Sequence, residues 1–512
     1  MSEAELPESP DAPGATDASD ASEAPAERAR RLADLDALRA RGVDPYPVRF
    51  DRTSTLAELR TAHGDLEAGV ETDVEVKVAG RVMLLRRQGK LTFATIKDQD
   101  GSVQLFVSRA VLGEEQHAAF DELDLGDWIG VEGTVMATRK GELSVKVSGF
   151  QLLAKALRPL PDKWHGLSDV DTRFRQRYVD LIVNDDARRV FAVRFAAVAA
   201  IRRYLGDHAF VEVETPVLEH ELGGATARPF HTHHNALDLD LFLRIALELH
   251  LKRLVVGGFE RVFEIGRVFR NEGIDTSHNP EFTMLEAYQA FADYHDMMAL
   301  TEALVVAAAR AANGTTVLEI RGETFDLAEP WPRHTMVDLI REHVGVEINP
   351  AMDVAAARAV LDGLGLTYKD TWGAGRCTHE VYDELVEHKL VRPTFVLDHP
   401  RETSPLARVH RDDPTLVERF EVVANGHELA NAYSELNDPI DQRERFELEA
   451  AARAAGDAEA GTIDEDYLRA LEHGLPPTGG LGIGIDRLTM LLAGVTSIRE
   501  VILFPTLRPE ST

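Results

Sequence analysis

Between residue 74 and about residue 153 the chain breaks into five short runs of alternating apolar and polar residues, and no other stretch limits its possible folds so tightly. The runs lie at 74–78, 91–95, 103–107, 129–136 and 143–147, and residues 109–123 have helical spacing between the third and the fourth. Five strands with a helix in that place fit a small Greek-key barrel of the oligonucleotide-binding type. Barrels of this kind hold single-stranded bases on their middle strands. Phe93 is placed to stack a base, Gln104 to read a base edge, and Arg81, Arg86, Arg87 and Lys90 to hold phosphates. Each has a plainer reading too, with Phe93 as core and the basic cluster as a solvated hairpin.

The barrel divides the chain. Residues 1–26 mix Ser, Ala, Pro, Asp and Glu without apolar period and are expected to form a disordered acidic tail. Residues 27–70 are expected to be helical at the start. There Leu32, Leu35 and Leu38 share a stripe ringed by Arg28, Arg30, Arg31, Arg39 and Arg41, and Gly42 and Pro45 stop the helix. That face is either solvated or in touch with RNA. After a barrel domain at 71–155, the two prolines and the glycine of 156–167 read as a short stiff linker. Residues 168–512 mix strands and helices, opening with a helix over 190–205 and the strand FVEVETP that ends at Pro216. Helical stretches at 354–361 and 379–390 suggest an inserted subdomain at about 330–410. No repeat of 20 to 50 residues is evident in the sequence.

Composition adds limits. With 512 residues, 44% of them hydrophobic, the chain can bury more than one core. No run approaches the roughly 18 to 20 apolar residues that cross a bilayer, and the start lacks a secretion signal, so a cytoplasmic protein is expected. The single cysteine, Cys377, excludes an internal disulfide and a cysteine-based zinc site. The 56 basic and 87 acidic residues leave a charge of −31, which argues against nucleic acid only if local fields are ignored.

Three constellations in the second domain carry chemistry. FEIGRVFRNEGIDTSHNPEFTMLEAY (263–288) reads as two strands joined by a long polar loop, with Phe282, Met284, Glu286 and Tyr288 on one face of the second strand. Arg270, at the loop entrance, is a planar cation able to hold a carboxylate or phosphate in two hydrogen bonds, and Phe282 offers a surface for a base. Glu272 and His278 add polar contacts. Surface ion pairing is the plainer reading of that loop.

In FEVVANGHELANAYSELND (420–438), Asn425-Gly426 is a two-residue hairpin signal. It sets Ala424 opposite His427, Val423 opposite Glu428 and Glu421 opposite Ala430. Glu421 and Glu428 then share a face as diagonal neighbours roughly 7 to 8 Å apart. Such a pair can seat magnesium that bridges phosphates, or be an exposed acidic pair. Strict alternation sends Asn431, Tyr433 and Glu435 to the opposite face, so a site that uses both groups requires a bulge near Ala430.

In GGLGIGIDRL (479–488), Gly480, Gly482 and Gly484 bare one face of a strand, and Arg487 follows at a helix start within reach of phosphate. Close backbone packing would call for the same glycines. Taken together, two arginines, two faces for a base and two acids are the parts of a phosphoryl or nucleotidyl transfer site.

FRNEG with HNPEFT, the ELANAYSELND run and GLGIGIDRL resemble the signature segments of class II lysyl-tRNA synthetases. The likeness extends in order through RPLPDKWHGL, TRFRQRYVDLI, EVETP and GGATARPFHTHHNALDLDLFLRIALELHLKRL, leaving only the first 26 or so residues outside. The resemblance implies an α+β fold, with an anticodon-binding barrel followed by an antiparallel-sheet catalytic domain, in a homodimer whose interface lies near FVEVETP. It implies ATP-dependent attachment of L-lysine to tRNA(Lys), with Mg2+. By resemblance Arg270 would hold the α-phosphate and the amino-acid carboxylate, Arg487 the γ-phosphate, and Glu421 and Glu428 magnesium. Glu272, His278, Asn279, Phe282, Glu421, Gly482 and Gly484 would meet ATP. Gly224, Glu248, Glu286, Tyr288, Asn431, Tyr433 and Glu435 would form the lysine pocket, and Arg81, Phe93, Gln104 and Glu142 would read the anticodon. Leu247, where proline is frequent, and His250, where tyrosine is frequent, depart from the family pattern beside Glu248.

Glu286, Glu435 and Tyr288 suit an ammonium, where aspartate would call for cations. A lysine ligase acting on a protein lacks the anticodon barrel in this family, and a non-catalytic RNA-binding paralogue would have lost the phosphate ligands. A lysyl-lipid transferase fusion would need membrane spans. His231, His233 and His234 lie in a strand-like run that matches the family without metal.

Overall fold

The computed structural model describes residues 18–161, 167, 169–221, 223–225, 227–454 and 461–509. The chain falls into two compact units, 1–166 and 167–512.

In the first unit β1 (Glu71–Gln88), β2 (Leu91–Lys97), β3 (Ser102–Ser108), β4 (Trp128–Ala137) and β5 (Leu143–Ala154) close into a barrel in the order β1-β2-β3-β5-β4. The expected alternation is the cause. Along β2 and β3 every second residue is buried, so Ala94, Ile96, Val103, Leu105 and Val107 meet Val82, Ile129, Val131, Val145 and Val147 inside. Helices Arg109–Leu112 and Glu114–Asp121 fill the predicted place between β3 and β4, and Phe120 closes the core.

The helix expected from residue 27 begins at Ala18 and runs to Ala40, so the stretch 18–26 is helical where a disordered tail was expected. The rest of that tail lies outside the described residues, as do 162–166 of the linker. Leu35 is buried as expected. Among the arginines around it, Arg31 is buried too, donating to the carbonyls of Leu125, Ala156 and Arg158. Its cation serves the fold and is not offered to a nucleic acid.

The second unit is built on an eight-stranded sheet. In chain order its strands are β6 (Val211–Glu212), β7 (Arg261–Phe269), β8 (Glu281–Ala290), β9 (Arg333–Thr335), β10 (Thr394–Leu397), β11 (Arg419–Ala424), β12 (His427–Ser434) and β13 (Thr478–Gly484). They lie side by side as β9-β10-β11-β12-β13-β8-β7-β6. The central pairs are antiparallel, as expected, and the pairs at the two edges are parallel, so the sheet as a whole is mixed. FVEVETP contributes only the two-residue β6.

Parity sorts the central strands. Leu285, Ala287, Phe420, Val422, Ala430, Ala432, Leu481 and Ile483 pack into one core with residues of helices Asp185–Asp207, Tyr294–Asn313 and Ile485–Ala493. The alternate residues face the other way, where the acids, phenols and bare glycines gather.

Residues 330–410 are not a subdomain apart from the sheet, because they supply β9 and β10. Their helices Met336–Val344, Val354–Leu364 and Ala374–Leu385 share a core with Val396 of β10 and Val423 of β11. Cys377 is buried there as the small hydrophobe its isolation suggested. Among the described residues no helix is long and apolar enough to cross a membrane.

Candidate active site

The Asn425-Gly426 turn forms as read, with positive φ at both residues, and Ala424 pairs with His427 and Val423 with Glu428. The register then slips. Val422 pairs with Ala430, leaving Leu429 as the extra residue of a bulge, so Glu421 faces Asn431 instead of Ala430. This is the bulge that a combined site required. It turns Asn431 and Tyr433 to the side of Glu421 and Glu428, and all four, with Glu435, line one cavity of about 290 Å³.

The hairpin of β7 and β8 supplies the opposite wall. Its register pairs Glu264 with Glu286 and Val268 with Phe282, and β13 pairs Gly480 with Tyr288 and Gly482 with Glu286. Glycine is required at 480 because a Cβ there would collide with Oε1 of Glu435 and lie 2.6 Å from Cε1 of Tyr288. At Gly482 a Cβ would meet nothing closer than Cε of Met284 at 3.3 Å, so the bare strand face widens there. Gly224, at φ 86°, lines the cavity as well.

The deep end is acidic. Glu286 accepts from the backbone N–H of Leu247 at 3.0 Å and from the hydroxyl of Tyr288 at 3.0 Å. A proline at 247, the residue frequent in the family, would have no N–H to give. Burial, then the nearby charge of Glu248, pushes Glu286 up to about 7. The hydroxyl of Tyr433 donates to Glu248 at 2.7 Å.

Sequence reasoning missed Lys252. It is fully buried and paired with Glu248 at 2.5 Å and with Glu435. Burial opposes its charge, but the two carboxylates outweigh that and hold its ammonium well above lysine's usual value. The signal was present, since Lys252 follows Glu248 by four residues in helix Glu248–Val256. Glu449 also lines the cavity unforeseen, pushed up to about 7 by burial and then by Glu248. His250, the other departure, sits 3.6 Å from Glu219, whose carboxyl burial pushes up to about 8.

The outer end holds the arginines. Arg270 lines the cavity with its guanidinium 5.2 Å from the ring centre of Phe282, and its Nε is buried without a protein partner. Burial lowers its pKa despite the charges of Glu428 and Glu272. Arg487 opens helix Ile485–Ala493, where Asp486 accepts from Arg194 and from the N–H of Thr283. Its guanidinium donates to the carbonyl of Glu428 at 2.8 Å and lies 3.5 Å from the Glu428 carboxylate.

Glu421 is held by Arg419, a partner the sequence reading did not name, at 2.5 Å. Burial first, with Glu428 adding to it, pushes Glu421 up to about 7. Two carboxylates lining one cavity, one of them depressed in acidity by burial and then by the other, are an oxygen donor set fit for magnesium.

Not every expected residue reaches the cavity. Glu272 and His278 are exposed on the loop, with His278 against Asp275 at 2.9 Å. Asn279 is buried, and its amide is spent on the carbonyl of Glu281 and the N–H of Thr506, so it anchors the loop. Gly484 and Arg487 lie outside the lining.

In the barrel, Phe93 stands edge-on to Phe106, its partner across β2 and β3, at 5.6 Å between ring centres. Gln104 donates to Ser144 of β5, and Glu142 is exposed just before that strand. Parity puts Phe93 and Gln104 on the outer face, away from the core. Arg81 stands apart, five positions along β1 from the Arg86 that faces Phe93, donating to the carbonyl of Gly126 with its guanidinium 5.1 Å from the Trp128 ring centre. Arg87 is bound to the carbonyls of Asp121 and Leu123. The strand histidines are exposed, and His233 pairs with Asp240 and Asp238.

Known proteins are similar to this chain in sequence. Residues 169–508 match the family of class II tRNA synthetases (D, K and N), and 76–153 match the OB-fold nucleic acid binding domain. A lysine–tRNA ligase of Synechococcus sp. (strain CC9311) is 54% identical over 484 residues, covering 94% of this chain and 99% of its own. That of Thermosynechococcus vestitus is 53% identical over 490 residues, 94% of this chain and 97% of its own. That of Prochlorococcus marinus (strain MIT 9211) is 53% identical over 493 residues, 94% and 98%. The chain therefore belongs to the class II tRNA synthetases of the D, K and N group, among the lysine–tRNA ligases.

Proposed function

We infer that this protein attaches L-lysine to tRNA(Lys) in two steps, with ATP consumed to make lysyl-adenylate in the first. The observation that carries the reading is one cavity with a partnerless Arg270 Nε at its outer end and buried acids at its deep end. Around the amino acid, the carboxylates of Glu248, Glu286, Glu435 and Glu449 outnumber the cations Lys252 and Arg270, which favours a substrate with a cationic side chain.

In the first step the lysine carboxylate attacks the α-phosphorus in line and pyrophosphate leaves. Arg270 holds the carboxylate and the α-phosphate together, and Arg487 holds the γ-phosphate. The adenine stacks on Phe282 beside the bare face at Gly482 and Gly484, while Glu272 and His278 meet the nucleotide from the loop that Asn279 anchors. Glu421 and Glu428 would hold magnesium, which would offset the charge of the phosphates. Glu286, Tyr288, Asn431, Tyr433 and Glu435, with Glu248 and Gly224, hold the lysine. In the second step the terminal hydroxyl of the tRNA attacks the carbonyl carbon of the lysyl-adenylate, the ester forms as the anhydride bond breaks, and AMP leaves, with the anticodon on Phe93, Gln104, Glu142 and Arg81.

The protein acts in the cytoplasm as a homodimer. Exposed Val170, Tyr178, Phe195 and Val211 on the second unit support a covered face. The reaction is tested by exchange of pyrophosphate into ATP with each amino acid in turn; exchange is expected with lysine, and its absence with lysine would refute the reading.

Two outcomes follow from the site's physics. Because Glu286 titrates near 7 in the free protein, it is neutral below that pH and offers lysine no charge. Lysine affinity, measured by calorimetry without nucleotide, is expected to hold steady above pH 7 and to fall towards about tenfold per unit below it. Glu286→Gln is expected to make the fall shallower, leaving the part contributed by Glu449, which is pushed up to about 7 in the same cavity, and a flat profile in the unaltered protein would contradict the assignment. In the barrel, Phe93→Ala is expected to weaken tRNA(Lys) binding by about 1–3 kcal/mol while leaving pyrophosphate exchange unchanged. Equal tRNA affinity in a filter-binding titration would remove Phe93 from that surface.

A further inference from the structure

Behind the carboxylate of Glu421 lies a second group of ligand atoms. His379, on helix Ala374–Leu385, and His399, which follows β10, each bring a ring nitrogen to Glu421, and the three ligand atoms lie within 4.8 Å of one another. His399 is completely buried. Its Nε2 lies 3.1 Å from the carbonyl of Val396, an acceptor only, so Nε2 carries the proton and Nδ1 the lone pair. That Nδ1 is buried with no protein partner. On His379, Nδ1 lies 2.9 Å from the carboxylate of Asp383, one turn on, but without hydrogen-bond geometry, so it too is a buried ring nitrogen with no hydrogen-bond partner. The carbonyl behind the His399 imidazole is the kind of outer contact that fixes a ring tautomer at metal centres.

We propose that His379, His399 and Glu421 form a binding site for a first-row transition-metal ion, Zn2+ foremost, which adjoins the magnesium carboxylates and competes for Glu421. Two imidazoles and one carboxylate are a zinc donor set that leaves one position open. Tetrahedral bonds of about 2.0–2.1 Å bring ligand atoms to roughly 3.3–3.5 Å from one another, so binding draws the three inward. Magnesium prefers oxygen ligands and leaves such a site to softer ions. Glu421 is the hinge between the two. Drawn towards the imidazoles, it leaves Glu428 to hold the nucleotide's magnesium alone, and amino-acid activation falls. The inhibitory consequence rests on the proposed ATP-dependent reaction; the binding does not.

Equilibrium dialysis of the full-length protein against Zn2+ in excess Mg2+ is expected to retain one Zn2+ that His379→Ala and His399→Asn each release, weakening binding at least about tenfold. Glu428→Gln is expected to retain it. Binding within twofold of the unaltered protein in both histidine variants, or its loss on His233→Ala in the exposed strand, overturns the site. Because His379 is only half-buried, its variant keeps the test meaningful if His399→Asn fails to fold. In parallel, Zn2+ is expected to inhibit lysine-dependent pyrophosphate exchange. His379→Ala, with unchanged exchange in Mg2+ alone, is expected to need at least about tenfold more Zn2+ for the same loss. Equal sensitivity of the two proteins overturns the coupling through Glu421. If lysine-dependent exchange itself is missing, the proposed reaction fails and dialysis still judges the site.

Discussion

Arg270→Ala is expected to reduce lysine-dependent exchange of pyrophosphate into ATP by about three orders of magnitude or more. The guanidinium stands 5.2 Å from the ring centre of Phe282, and its Nε is buried with no protein partner. A buried N–H without an acceptor is costly in the free protein, and that cost is recovered when a carboxylate or phosphate accepts from it. Its binding energy is therefore reserved for the reacting groups. Because the pairing of β7 with β8 is a continuous backbone ladder from Arg261 to Phe269, and the Arg270 N–H that extends it to the carbonyl of Pro280 is kept by alanine, the variant is expected to fold. Exchange within tenfold of the unaltered protein would remove Arg270 from the reaction. Arg270→Lys tests the fork itself, since an ammonium keeps the charge but not the paired hydrogen bonds.

The second large effect concerns stability as well as specificity. Lys252→Met leaves Glu248 and Glu435 buried without their shared cation, and such a break costs about 3–5 kcal/mol. The thermal midpoint of the second unit is expected to drop by several degrees, and lysine-dependent exchange to weaken as Glu435 loses its anchor. The pH dependence has a definite sign. Unpaired buried carboxylates bind protons more tightly folded than unfolded, so the variant gains stability as pH falls below neutrality, and its deficit is expected to shrink. A midpoint unchanged within a degree, or a deficit that grows on acidification, would show that Lys252 does not neutralise the pair.

How much of this could be read from the chain differs from place to place. The barrel was legible because alternation of buried residues along β2 and β3 is a local property that tertiary packing then respects. The acidic hairpin was legible as far as its turn, and the need for a bulge followed from parity, but its place at Leu429 depended on β13 pairing Ile483 with Ala430. That pairing joins segments some fifty residues apart. Residues 330–410 looked like a separate insertion because β9 and β10 have three and four residues, too short to register beside three amphipathic helices. Lys252 was passed over because a lysine four residues after a glutamate usually marks a solvated helix face, and only the sheet beneath shows that this face is inside. The surroundings of Arg419, which was not named, and of Asn279 were hidden similarly: their partners, Glu421 and Ser404 for one, Glu281 and Thr506 for the other, are fixed by the fold.

The central claim joins an ATP site, a lysine pocket and an anticodon barrel in one activity, and aminoacylation of total tRNA, with each amino acid offered in turn, tests all three at once. The structure predicts ATP-dependent charging with lysine alone, on tRNA(Lys) alone. Charging with another amino acid, or lysine-dependent pyrophosphate exchange without transfer to any tRNA, would contradict it.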